Sequence, residues 1–230
     1  MIISREAVEA TRAQLFEFHF VQGVRRSELV KIAEEDETVC LIKQQGENVG
    51  DPDDTNQDMT SSSCSDRDKF TEMAENCVVL AITGQREQGQ VLSMVAHVSP
   101  DAELRKLPLE QWFSSEAVND FVRSTNPLSR RSIIVGGFYN YQHQTVSMWY
   151  RYLIGGISRA SRDIFEADPL ILPPKPDVGV TNLYLLNNDR RLIVFQNTPI
   201  PSYNSGPYYQ REFDAVSKKW EAQLKKALVS

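Results

Sequence analysis

The chain has few of the residues that announce a specialised chemistry. Only three of its 230 residues are cysteine, Cys40, Cys64 and Cys77. An odd count with no C-x-x-C spacing argues against both a disulfide framework and a zinc cluster, and it leaves at least one thiol free. Histidine is equally scarce, with His19, His97 and His143 only. No apolar run approaches the roughly 18 residues that a membrane-spanning helix needs. The start, "MIISREAVEATRAQLFEFHF", carries charges where a signal peptide needs an uninterrupted apolar stretch. These absences predict a soluble chain with no membrane partner, cytoplasmic or delivered to a host cytoplasm without a classical signal. Basic charge is lacking too: 25 Lys and Arg against 31 Asp and Glu give a net charge of −6, which works against polyanion binding and hence against a nucleic-acid partner. Neither "GVRRSE" nor "DVGVTN" has the glycine spacing of a phosphate loop.

What is present is a chain able to bury a core, with 41% hydrophobic residues. Ser4 and Ser27 stand before the stretches "REAVEATRAQLFEF" and "ELVKIAEEDE" and read as N-caps of helices. "TVCLIKQQ" (38–45) reads as a short strand, which makes Cys40 a core residue. Residues 46–68, "GENVGDPDDTNQDMTSSSCSDRD", hold almost no apolar side chains. They cannot offset the entropy of ordering by burial, and a mobile loop or insertion is expected there, Cys64 with it. "CVVLAIT" and "VLSMVAHV" read as strands joined by "GQREQGQ". "LEQWFSSEAVNDFVRS" (109–124) reads as one helix, "RSIIVGGFY" as a buried strand and "TVSMWYRYLIGGISRASRDIFEA" as a long helix. "TNLYLLNNDRRLIVFQN" (181–197) is a hairpin, and "REFDAVSKKWEAQLKKALVS" an amphipathic terminal helix. His19 reads as packing, His143 as a surface-loop residue and "PSYNSGPYYQ" as loop. This order predicts one domain over residues 1–230, of α+β class: a layered α/β sandwich with mixed or antiparallel sheets flanked by helices.

The hairpin between Cys77 and His97 carries the chemistry. A turn centred on residue 87 places these two directly opposite each other on antiparallel strands, with Cβ atoms about 4.5–5.5 Å apart on one face. A thiol beside an imidazole is the arrangement of a cysteine nucleophile, since the histidine takes the proton and stabilises the thiolate. The same two residues also suit an inert core, because unpaired cysteines are among the most buried residue types.

Thr71 lies six positions before Cys77, and the order Thr71, Cys77, His97 resembles the Thr-x5-Cys…His pattern of the CheD chemotaxis-receptor glutamine deamidases. The bacterial deamidase toxins of the cytotoxic necrotizing factor type share that superfamily. In such chains an apolar strand follows the Cys, like "CVVLAIT", then a Gly-containing turn and a strand ending in His, like "VLSMVAHVSP". A later Gly-Gly strand is similar to "IIVGGFY", and a late hairpin to "LYLLNNDRRLIVF". The similar region spans residues 70–197, a CheD-like catalytic core. A second resemblance, to the protein N-terminal asparagine amidohydrolases, rests on "VVLAITG" and on the "VGGF" of residues 135–138.

Both resemblances imply hydrolysis of a side-chain amide through a thioester, without metal or cofactor, on a protein substrate bearing a target glutamine or asparagine. The CheD resemblance implies Cys77 as nucleophile, His97 as base and Thr71 as the group that orients the imidazole. The backbone N–H groups of Cys77 and Asn76 would then stabilise the oxyanion. Thr71 also suits a helix or turn cap, and Asn76 a turn residue. The family's glycine before the nucleophile is replaced here by Glu75-Asn76. That replacement favours the alternative, a noncatalytic binding or scaffold domain that keeps the fold.

Overall fold

A computed structural model describes residues 16–22, 26–55, 57, 59–75, 77–99, 111–136, 138–139, 156–167, 169–171, 175–176 and 180–198. The helices expected after Ser4 (up to residue 15) and from residue 211 onward lie outside this set, as do the "PSYNSGPYYQ" loop, His143 and Asn76.

Two five-stranded sheets form the body. The first has the order β1 (Phe16–Gln22), β12 (Arg191–Thr198), β11 (Thr181–Leu186), β4 (Lys69–Ala74), β2 (Glu47–Asn48). The second has the order β3 (Met59–Ser61), β6 (Val91–Val98), β5 (Val78–Gln85), β7 (Arg131–Gly136), β9 (Pro169–Ile171). A short parallel pair, β8 (Phe138–Tyr139) with β10 (Lys175–Pro176), stands apart. Parallel and antiparallel ladders both occur, β1–β12 being parallel and β5–β6 antiparallel, so the sheets are mixed and the class is α+β as expected.

The period of two along each strand sorts the side chains into layers. Val79, Ala81, Val95, Ile133 and Val135 of the second sheet meet Ala74, Leu183, Leu185, Leu192 and Val194 of the first, which makes a dry layer between the sheets. On the far side of the first sheet, Phe70, Tyr184, Ile193 and Phe195 pack against Leu29 and Ala33 of α1 (Arg26–Glu34) and Val39 and Ile42 of α2 (Glu37–Gln45). On the far side of the second, Val78, Leu80, Ile82, Met94 and Ile134 pack against Trp112, Val118 and Phe121, and against Ile157 and Phe165 of the helical residues 156–165. The order of layers is therefore helix, sheet, sheet, helix.

Several expected elements are corrected. "TVCLIKQQ" is helix α2, not a strand: the Asp36 carboxylate accepts from the N–H groups of Thr38 and Val39. That cap starts a helix, and the i, i+3 spacing of Val39 and Ile42 then buries one face. Cys40 sits half-buried on it, its thiol donating to the Glu34 carbonyl at 2.9 Å, rather than in a core. Ser27 lies inside α1, not at its cap. Residues 16–18, read as the end of a helix, belong to β1, where pairing with β12 outweighs local propensity. His19 lies in the same strand.

The helix expected over 109–124 is interrupted at Ser114 and Ser115. Ser115 caps a new helix, α4 (Glu116–Ser124), by accepting from the Val118 N–H. Gly84 lets α4 approach β5, since a Cβ there would lie 2.9 Å from Phe121 and from Thr125. Of the long helix expected over 145–167, the described residues 156–165 are helical. The hairpin over 181–197 forms as read, whereas the strand expected over 131–139 ends at Gly136, with Phe138–Tyr139 pairing separately with β10. Among the described residues no helix is long and apolar enough to cross a membrane.

The segment 46–68 carries regular structure where a loop was expected: β2, a single helical turn α3 (Pro52–Thr55), and β3. β2 pairs with β4 at the edge of the first sheet, and β3 pairs with β6 at the edge of the second. The chain between them therefore crosses from one sheet to the other and closes that side of the sandwich. Polar ties hold it there: Thr60 donates to the Gly50 carbonyl, and Glu47 accepts from the N–H and hydroxyl of Ser63 at 2.7 and 2.9 Å.

Candidate active site

Thr71 in β4 and His97 in β6 lie on facing strands of the two sheets, each one place in from the edge that the 46–68 crossing closes. Both are fully buried, and the Thr71 hydroxyl sits 2.8 Å from His97 Nδ1. A polar pair at this depth persists only because each partner satisfies the other. With Nδ1 engaged by Thr71, proton exchange on this imidazole falls to Nε2.

Cys77 stands immediately before β5, 1% exposed. The register differs from the expected one. The hairpin turns about residue 88, not 87: Arg86 N–H donates to the Gln90 carbonyl, Gly89 N–H donates to the Arg86 carbonyl, and Gly89 takes φ +89°. A tight turn followed by a left-handed glycine is a common three-residue hairpin connection. Val79, not Cys77, therefore pairs with His97. Moving the turn centre by one residue moves the pairing by two, and two is the side-chain period of a strand. Cys77 becomes a diagonal neighbour of His97 and keeps the same face.

A fourth group joins the cluster. Asp51, in the crossing after β2, places a carboxylate oxygen so that it, Cys77 Sγ and a His97 ring nitrogen all lie within 4.8 Å of one another. Asp51 is half-buried and forms the outer member. Nothing in the sequence distinguishes it from the other acids of "GDPDDTNQD". Only the bridging of two sheet edges by this segment selects it.

Thr71 owes its placement to a bulge in β4. Leu183 pairs with Thr71 but Thr181 pairs with Ala74, so Glu72 and Met73 together face Asn182. Met73 takes φ +64°, uncommon for a side chain with a Cβ, and its N–H donates to Asn182 Oδ1 at 2.9 Å. The bulge leaves both Thr71 and Ala74 facing the other sheet and re-aims the chain toward Cys77. Outside the sheet, Glu72 accepts from Lys43 Nζ at 2.9 Å and from the Tyr184 hydroxyl. Burial, followed by that bond, pushes the Tyr184 phenol upward.

The other thiols lie apart. Cys64 packs against the core on the helix side of the second sheet. Burial pushes its thiol up, and Lys69 opposes the change. Lys69 is itself fully buried, donating to the Ser65 hydroxyl and the Arg67 carbonyl at 2.9 Å each. Burial lowers its ammonium to about 8.

The sandwich and the cluster define a class: a two-sheet α+β domain with a thiol, an imidazole and a hydroxyl brought together at one end of the layer between its sheets. No family model matches this chain, and no curated protein matches it.

Proposed function

We propose that this protein is a cysteine-dependent amide hydrolase, a deamidase of a glutamine or asparagine side chain on a protein substrate, acting in a cytoplasm, its own or a host's. The observation that carries the reading is the Thr71–His97–Cys77 arrangement, with 2.8 Å from hydroxyl to Nδ1 and the thiol beside the same ring. Cys77 Sγ attacks the carboxamide carbon as His97 Nε2 takes the thiol proton. His97 then gives that proton to the departing ammonia, leaving a thioester. A water, deprotonated by the same nitrogen, cleaves the thioester to a carboxylate and restores the thiol. Thr71 is a positioning residue that fixes the ring, and the Cys77 N–H is a donor for the oxyanion. The Asp51 carboxylate favours the imidazolium formed in the first step.

The burial of Cys77 and His97 favours a second reading, a scaffold domain that keeps the fold without turnover. On the hydrolase reading the 46–68 crossing covers the site and moves aside for substrate. Iodoacetamide separates the two. In the hydrolase, Cys77 alkylates below the pH at which an ordinary thiol of pKa about 8.5 reacts, and His97→Ala removes that advantage. Three thiols that behave as ordinary or protected cysteines in the folded chain, together with no ammonia released from glutamine- or asparagine-bearing proteins, would leave only the scaffold.

A further inference from the structure

The cluster offers a carboxylate, a thiol and an imidazole, donors from three different elements converging on one point. We infer that Asp51, Cys77 and His97 form a binding site for a single divalent cation of the zinc class, which occupies the nucleophile and holds the protein inactive.

Geometry supports the ion first. For three atoms no more than 4.8 Å apart, a point exists within about 2.8 Å of all of them. Zinc bonds to N, O and S run about 2.0–2.3 Å, so side-chain shifts of several tenths of an ångström close the shell. A free edge of the shell takes a water, as in sites with three protein ligands. Second, the imidazole is already oriented by its other nitrogen. A ligating histidine usually has its distal nitrogen held by a second group, and the Thr71 hydroxyl on Nδ1 does this, leaving coordination to Nε2.

Charge gives a third argument. The thiol releases its proton to solvent as it ligates, and a thiolate, a carboxylate and a neutral imidazole then balance a divalent ion, which suits a site whose inner members are fully buried. The donor set also selects among cations, since a thiolate with an imidazole prefers zinc-class metals over magnesium or calcium. Asp51, half-buried, is the side from which an ion enters. Because Asp51 belongs to the crossing that closes the sandwich edge, the ion also ties that crossing to the β5–β6 hairpin.

Only the inhibitory consequence rests on the hydrolase reading; the binding does not. The test uses the full chain, dialysed against a chelator and titrated with cobalt(II), which reports on zinc sites by its colour. One equivalent should produce a thiolate-to-cobalt charge-transfer band that zinc abolishes by displacement. The band should persist in Cys40→Ser and Cys64→Ser and vanish in Cys77→Ser. Asp51→Asn, nearly isosteric and checked by its thermal unfolding, should weaken cobalt binding by at least the roughly tenfold that loss of an outer-shell partner costs. Zinc should slow alkylation of Cys77, and chelator should restore it. No band, a band that survives Cys77→Ser, or unchanged affinity in Asp51→Asn would overturn the site. A band, with no ammonia released by the chelator-treated chain from any glutamine- or asparagine-bearing protein, would sink the hydrolase reading and leave the metal site standing. Ammonia release that rises with zinc would refute the inhibitory role.

Discussion

Two hairpins face each other across the layer between the sheets, and they differ in what they bury. β11–β12 presents Leu183, Leu185, Leu192 and Val194, all apolar. β5–β6, with the residue before it, presents Val79, Ala81 and Val95 but also Cys77, Ser93 and His97, every one of them buried. The first hairpin, apart from the buried Thr181 at its end opposite Ala74, exchanges water for dispersion contacts. The second gives up part of that gain for groups that must find partners in a dry space, and His97 finds one in Thr71 of the opposite sheet. Polar side chains in this layer thus mark where the fold gives up apolar burial for groups that need partners.

The contrast can be broken at its apolar side first. Leu185→Ala should cost about 2–5 kcal/mol, measured by urea unfolding, through lost transfer energy and a cavity, while Cys77 reactivity stays unchanged. A cost near zero would mean that the two hairpins do not share a packed layer.

The polar side should respond differently. Thr71→Val strands the imidazole Nδ1 and should cost about 1–3 kcal/mol, whereas adding His97→Leu, which makes the pair apolar, should recover most of that loss or more. If the double variant is no more stable than Thr71→Val, the pair is not the cost that the comparison assigns to it.

The smallest effect within any one pH unit is a pH dependence set by Lys69. Its ammonium loses its proton near 8 in the folded chain and near its ordinary 10.5 unfolded. Between these values the unfolded chain binds more protons, so stability rises with pH, by at most about 1.4 kcal/mol per unit. Above the ordinary tyrosine range the raised Tyr184 acts in the opposite sense, since the folded chain then keeps a proton that the unfolded chain loses. Urea unfolding just above pH 8 should show the rise, and Lys69→Met should flatten it. An equal rise in the variant would assign it to other groups.

Local patterns were legible wherever one period dominated. The hairpin at 181–197, the strand at 131–136 and the paired strands after Cys77 follow from alternating or continuous apolar runs between turn residues. "TVCLIKQQ" was not legible, because β-branched residues suggest a strand while the cap at Asp36 and the partnership of Val39 and Ile42 with the first sheet make a helix. The order of the 46–68 segment is hidden from its sequence for a related reason. Its few apolar residues bury little, but its backbone pairs with two sheet edges, and that gain depends on strands far along the chain.

For the site, the sequence pattern predicts Cys77 and His97 as direct partners on one face; the register puts Val79 opposite His97, and the shared face is kept because the shift is two residues, the period of a strand. Thr71 was picked out by its spacing in a resemblance. What only the tertiary structure decided is which groups meet. The inter-sheet bond from Thr71 to His97 needs two sheets stacked face to face. The approach of Asp51 needs a chain crossing between their edges. Contacts between strands of different sheets obey no sequence period, so the packing of the layers alone sets them.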